Sequence, residues 1–167
     1  MTDYYRIPKH ADSPHVVNAV IEITKDTSAK YEYDNDLQVF KLDRCLLSAM
    51  TYPGNYGFIP NTKAGDGDAL DIIVYNSTPL ERGTVVECQV LGCLDMMDDG
   101  EEDYKILGVP VSHTKHYKHL EDLNSDWLKI AENFFSHYKD LDHKHVKVNG
   151  WLSVEKTYDI IDRSVIS

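Results

Sequence analysis

Asp66-Gly67-Asp68-Ala69-Leu70-Asp71-Ile72-Ile73-Val74-Tyr75 is the stretch on which the fold turns. Its three aspartates, with Gly65 and Gly67 permitting a bent backbone, resemble the start of a calcium loop leading into a helix. The residues downstream exclude that. The alternating oxygen ligands and closing glutamate of such a loop are missing, and Ile72-Ile73-Val74-Tyr75 reads as a short buried strand. The acidic loop therefore leads into a sheet.

Strand patterns recur on both sides of it. Val16 to Thr24 alternates, with Ile21 and Ile23 on one face and Val20 and Glu22 on the other, so one carboxylate sits on an otherwise apolar face. Lys30-Tyr31-Glu32-Tyr33 puts opposite charges side by side on one face and two phenols on the other. Gln38 to Leu42, Asp71 to Tyr75, Thr84 to Leu94 and Tyr104 to Val111 are further strands, separated by Gly, Pro and Asn/Asp turn signals. This spacing predicts a small closed or nearly closed antiparallel sheet. One helix is expected from the three- and four-residue recurrence of Trp127, Leu128, Ala131, Phe134, Phe135, Tyr138 and Leu141 after the capping residues Asn124, Ser125 and Asp126. A shorter helix is expected over Ser153 to Arg163, with Tyr158 and Ile161 facing inward. The fold class is α+β, an antiparallel barrel with one long and one short flanking helix.

The 167 residues suffice for one domain, residues 1–167, with its own core. Met1 to His10 contain no apolar h-region, and no run approaches the roughly 18 apolar residues of a membrane span. A cytoplasmic protein without membrane partners is expected. Cys45, Cys88 and Cys93 cannot all pair within the chain and lack zinc-knuckle spacing, which reads as reduced, buried thiols. A net charge of −11 without a Lys/Arg stripe excludes nucleic acid as a partner.

The placement of charge narrows the chemistry. An Asp-Gly-Asp turn is commonly just solvated, but Asp66, Asp68 and Asp71 would repel one another with only Lys63 nearby, and a hard cation such as Mg2+ resolves that. Asp98, Asp99, Glu101, Glu102 and Asp103 form a second acidic cluster, ordinarily a solvated hairpin. It gains weight from Lys105, which shares a strand face with Asp103 as Lys30 does with Glu32. Tyr52-Pro53-Gly54-Asn55-Tyr56-Gly57 is read as a turn bearing two hydrogen-bond donors for anionic oxygens, although tyrosines in turns mostly pack. Arg44 follows Phe40 and Leu42 on one strand face and needs an anion or a carboxylate partner. Tyr138 falls on the helix stripe and Lys139 at its polar edge. His113, His116 and His119 have regular spacing but no helical or acidic context, so surface or subunit contact is their expected role.

Taken together these residues resemble the family I soluble inorganic pyrophosphatases of the short, prokaryotic type. Their signature Asp-x-Asp-Pro-hydrophobic-Asp corresponds to Asp66-Gly67-Asp68-Ala69-Leu70-Asp71, and ordered matches run from Ile21-Glu22-Ile23 through Asp43-Arg44 to His137-Tyr138-Lys139-Asp140 and Gly150-Trp151. The resemblance implies an OB-like barrel and an Mg2+-dependent inorganic diphosphatase that splits pyrophosphate into two orthophosphates through a metal-activated water. It makes Asp66, Asp71, Asp98 and Asp103 direct ligands of several Mg2+ ions, with Glu22 and Glu32 acting through bound water. Asp68 becomes the general base. Lys30, Arg44, Tyr52, Tyr138 and Lys139 become phosphoryl-binding groups, and Tyr56 and Lys105 orient the carboxylates and phosphate. It also implies a homohexamer, a dimer of trimers. Ala69 departs from the signature proline, and Asn133 stands where such members often carry an interface histidine. The alternatives are another Mg2+-dependent phosphoanhydride hydrolase, which would need a base-binding pocket, and a non-catalytic Ca2+-binding barrel, which would leave the Lys, Arg and Tyr set unexplained.

Overall fold

The structure is a computed structural model describing residues 2–166; Met1 and Ser167 lie outside the described residues. The strands are β1 (Val16–Ile23), β2 (Ala29–Asp34), β3 (Val39–Cys45), β4 (Asn55–Phe58), β5 (Asp71–Val74), β6 (Val85–Asp98), β7 (Glu101–Glu102), β8 (Lys105–Pro110) and β9 (Val146–Leu152). The helices are α1 (Ser125–His137) and α2 (Val154–Ser164).

β1 pairs with β4 along one side and β6 along the other, β4 pairs with β5, β5 with β8, and β8 with β6. The ring is closed. Such closure removes exposed edges, which are sites of unwanted pairing. A closed ring with an odd number of strands cannot alternate direction throughout, so the expectation of a wholly antiparallel barrel is corrected at one seam. β5 and β8 run parallel, with Asp71 opposite Lys105. β2 and β3 form a separate antiparallel hairpin in which Lys30 faces Arg44.

β6 runs four residues past the end that its apolar run predicts, stopping at Asp98 instead of Leu94. Register shifts between Val90 and Gly92 and between Asp95 and Met96 let its first part close the barrel while its last part carries β7 and β9. Asp98 thus belongs to a strand end, not to a loose hairpin loop.

β4 lies within what the sequence presents as a turn. Its cause is a close backbone approach: Gly57 lies opposite Ile21, and a Cβ on Gly57 would stand 1.7 Å from the Val20 carbonyl oxygen. Only glycine allows β4 to dock on β1 there. β9 is likewise absent from the strands that the sequence pattern predicts.

α1 starts at Asn124, whose side chain accepts from the backbone N–H groups of Asp126 and Trp127 at 2.8 and 3.3 Å. Its Phe134 and Phe135 are fully buried against Tyr52, Tyr56 and Leu94, each contributing about 2 to 3 kcal/mol of burial free energy. The helix stops at His137, so Tyr138 is its C-cap and Leu141 lies beyond it, exposed. α2, capped by Ser153, buries Thr157, Ile160, Ile161 and Ser164 against the other side of the barrel. Tyr158 is only partly buried and packs on His15, with ring centroids 4.6 Å apart. At 13 and 11 residues the helices are nearly equal, not one long and one short. Cys88 and Cys93 are buried as expected, whereas Cys45 is exposed at the end of β3.

Gly57→Ala should destabilise the protein by more than about 3 kcal/mol, because backbone and not a flexible side chain blocks the added methyl. Urea unfolding monitored by circular dichroism measures this; a loss below about 1 kcal/mol would mean that β1 and β4 can separate freely.

Candidate active site

One cleft of about 180 Å3 is lined by every predicted site residue except Arg44, together with Tyr31. Four parts of the fold supply most of it. β1 and β2 bring Glu22, Lys30 and Glu32; the loop before β5 and the first residue of β5 bring Asp66, Asp68 and Asp71; the end of β6, the approach to β8 and the start of β8 bring Asp98, Asp103 and Lys105; the C-cap of α1 and the residue after it bring Tyr138 and Lys139.

The acidic loop is shaped by its own backbone. Asp68 O accepts from Ala64 N at 2.7 Å, Ala64 O accepts from Gly67 N at 3.0 Å, and Asp66 Oδ1 accepts from Asp68 N at 3.0 Å. Gly67 has φ of +92°, a conformation that L side chains rarely adopt. Thr62 Oγ1 accepts from Leu70 N at 3.0 Å and ties the exit of the loop to the barrel.

Lys105 is the electrostatic centre. It is 3% exposed, and its ammonium donates to Asp71 Oδ2 at 2.7 Å, Asp103 Oδ1 at 2.9 Å and Tyr56 Oη at 2.8 Å. All three N–H bonds are used. Burial opposes the charge by several kcal/mol, but each carboxylate at such a distance offsets this by about 6 kcal/mol at an effective dielectric near 20. Attraction wins, and the Lys105 pKa is held well above its ordinary value. Lys139 donates to Asp98, and Lys30 pairs with Glu32 at 2.7 Å and Asp43 at 3.2 Å. Burial lowers the Lys30 pKa, but the Glu32 carboxylate more than compensates and the net shift is upward.

The carboxylates still outnumber these cations. Glu22, Glu32, Asp66, Asp68, Asp71, Asp98 and Asp103 face Lys30, Lys105 and Lys139. Burial, opposed by the Tyr33 N–H and aided by Asp71 and Glu32, pushes the Glu22 pKa up to about 8. Asp68 is also raised, by partial burial and then by Asp66 and Asp71. Among the described residues no three His, Cys, Asp or Glu side chains form a ready-made ligand set, because Lys105 and Lys139 draw Asp71, Asp103 and Asp98 toward themselves. The surplus of hard oxygen donors nonetheless fits divalent cations, whose charge would relieve this repulsion.

Tyr52, Tyr56 and Tyr138 pack with Phe134 and Phe135 in one aromatic cluster beneath the cleft. Burial raises all three phenol pKa values, so they remain protonated donors. Arg44 stands apart from the lining: its Nη1 donates to Asp142 at 3.1 Å, and its Nε is buried without a hydrogen-bond partner. His116 and His119 are exposed and His113 is half-buried, outside the cleft.

The family model for inorganic pyrophosphatase matches residues 19–167. The chain belongs to the inorganic pyrophosphatase family. It is 42% identical over 152 residues to the inorganic pyrophosphatase of Geobacillus stearothermophilus, covering 90% of this chain and 92% of that one. With the Nostoc inorganic pyrophosphatase it shares 41% over 165 residues, covering 98% and 97% of the two chains. The crystal structure of inorganic pyrophosphatase from Thermus thermophilus superposes with a TM-score of 0.93 at 38% identity, covering 98% of this chain and 97% of that one. Membership of the inorganic pyrophosphatase family implies a divalent metal cofactor, in keeping with the donor surplus of the cleft.

Within the cleft, sequence reasoning missed Tyr31, which is stacked under the Arg82 guanidinium at 3.3 Å, and beside it Asp142, the partner of Arg44. Tyr31 was visible only as the alternating neighbour of Lys30 and Glu32. Asp142 carried no signal.

Lys105→Met, which keeps length but removes the ammonium, should lower stability in chelator by about 3 kcal/mol by leaving Asp71 and Asp103 facing each other. Urea midpoints of the two proteins give the difference; equal midpoints would mean that this lysine does not hold the cleft together.

Proposed function

We propose that the protein hydrolyses inorganic pyrophosphate to two orthophosphates with Mg2+ as its cofactor. The observation that carries this reading is the interleaving, in one small cleft, of surplus carboxylates with ammonium groups and protonated phenols. A cation-binding module needs only the carboxylates. The size also discriminates: about 180 Å3 is below the 300 Å3 or more of ordinary small-molecule pockets, which leaves little room for a base or sugar beside the phosphates.

In this reading Asp66, Asp71, Asp98 and Asp103 hold Mg2+ directly and Glu22 and Glu32 do so through water. Bound divalent cations supply Lewis-acid neutralisation of phosphoryl charge and acidify water. The Asp68 side chain has no hydrogen-bond partner among the described residues and a raised pKa, which suits it to accept the proton as water oxygen bonds to phosphorus and the bridging P–O bond breaks. Lys30, Lys139, Tyr52 and Tyr138 donate to the phosphoryl oxygens, where the charge of the loose transition state accumulates. Arg44, outside the lining, joins them by turning its guanidinium from Asp142 toward a phosphoryl oxygen. Tyr56 and Lys105 keep Asp71 and Asp103 in place.

The protein is read as cytoplasmic. Among the described residues no helix is long and apolar enough to cross a membrane, and the three cysteines are unpaired. A homohexamer built from two trimers is the proposed assembly, and exposed Leu47 and Ile130 offer apolar surface for such contacts.

Orthophosphate release should be fast from pyrophosphate with Mg2+, absent with chelator, and slow from ATP and a sugar diphosphate. Asp68→Asn should fold and bind Mg2+ but lose about 10^2 or more in turnover; near-normal turnover would remove Asp68 from the proton's path. Sedimentation should give six chains of 19.1 kDa, about 115 kDa, and a single-chain mass would exclude the hexamer.

A further inference from the structure

Residues 2–7 contribute no side chain to the cleft, yet they reach it through Tyr33. Glu22 is 7% exposed, and its Oε2 accepts from the backbone N–H of Tyr33 at 2.7 Å. Tyr33 sits on β2, which belongs to the hairpin and not to the closed ring, so no ladder of barrel hydrogen bonds fixes its height above β1. The N-terminal residues hold it instead. Tyr33 Oη donates to Thr2 O at 2.9 Å and accepts from Tyr4 N at 3.4 Å, while Tyr5 Oη donates to Tyr33 O at 3.4 Å. The Tyr5 ring stands 5.2 Å from that of Tyr33 and 4.8 Å from that of Phe58, and the Tyr4 ring 5.1 Å from that of Tyr33. Backbone contact extends this grip, since Tyr5 O accepts from Asn61 N at 3.0 Å. Ala69 of the acidic loop packs on the same Val20, Tyr33 and Phe58 cluster.

We infer that Thr2 to Ile7 form a strap in which Tyr5 is a positioning residue for Glu22, acting through the Tyr33 peptide, and that the strap thereby sets the affinity of the cleft for divalent cations. This rests on the reading of Glu22 as a group that faces bound metal through water. The physical basis is that β2 contributes one N–H to Glu22, and that bond survives only while aromatic packing keeps the hairpin against β1. Without the strap Glu22 loses its fixed orientation. Partners that orient a metal-facing group typically change metal affinity by about 10- to 100-fold when removed. Burial and then the charges of Glu22 and Asp68 raise the pKa of the Tyr5 phenol, which agrees with its place beside the cleft.

The test is calorimetric titration of the full-length protein with Mg2+ alone, without substrate, on a double-mutant cycle. Tyr5→Ala should raise the Mg2+ dissociation constant about tenfold, and Tyr5→Phe, which keeps the ring, should stay within about twofold of the parent. Glu22→Gln should raise it as well, and adding Tyr5→Ala to Glu22→Gln should cause no further change beyond about twofold, since both act through one group. A purely structural strap would lower the melting temperature without this non-additivity. Should Tyr5→Ala not fold, Tyr5→Leu takes its place in the cycle, removing the ring contacts to Tyr33 and Phe58 while retaining apolar bulk. Equal effects of the strap substitution in both backgrounds, or no effect in the parent, would overturn the inference. No effect of Glu22→Gln would instead overturn the placement of Glu22 toward metal, on which the inference stands.

Discussion

Like charge gathered in a small volume repels itself, and the pairing of Lys105 with Asp71 and Asp103 is the contact that makes the cleft tolerable before any cofactor binds. The parallel seam between β5 and β8 sets Asp71 opposite Lys105, with Asp103 just ahead of β8. Parity of the closed ring forces a parallel seam somewhere. Here it lies where the acidic loop enters β5 and where the second acidic cluster enters β8, so the irregular seam of the barrel coincides with its chemistry.

The remaining cations are arranged around that centre with less burial and less energy. Lys30 and Glu32 are exposed enough that their ion pair contributes on the order of 1 kcal/mol or less to stability. On the proposed reading their value lies in placement, because a loosely held ammonium can turn from a carboxylate to a phosphoryl oxygen. The aromatic floor of Tyr52, Tyr56, Phe134, Phe135 and Tyr138 works the other way. It is closely packed, and burial keeps its phenols as donors.

Much of this was legible in the sequence where one local signal sufficed. Ile72-Ile73-Val74 reads as a buried strand because it is one, and Asn124 is followed by the helix it caps. β4 was not legible, since Pro53, Gly54 and Gly57 signal a turn, and its strand exists only because Gly57 admits the Val20 carbonyl. β9 was obscured by the polar His143-Lys144-His145 approach and by Gly150, which cut the apolar alternation of Val146 and Val148 short. The parallel seam depends on the number of strands in the ring, a global property. At the site, acids and bases sharing a strand face were readable one strand at a time, and the family resemblance joined them. The Arg44–Asp142 pair and the hold of residues 2–5 on Tyr33 span 98 and about 30 positions and leave no local pattern.

On the proposed reading, the surplus carboxylates of this cleft, set beside Lys105, carry its divalent-cation chemistry. Anomalous scattering from crystals of the protein soaked in Mn2+, as a stand-in for Mg2+, tests this most directly. Anomalous peaks are expected within ligating distance, about 2.2 Å, of oxygens of Asp66, Asp71 and Asp103, and they should be lost in Asp71→Asn. Peaks confined to other parts of the surface, or peaks at the cleft that persist undiminished in Asp71→Asn, would contradict it.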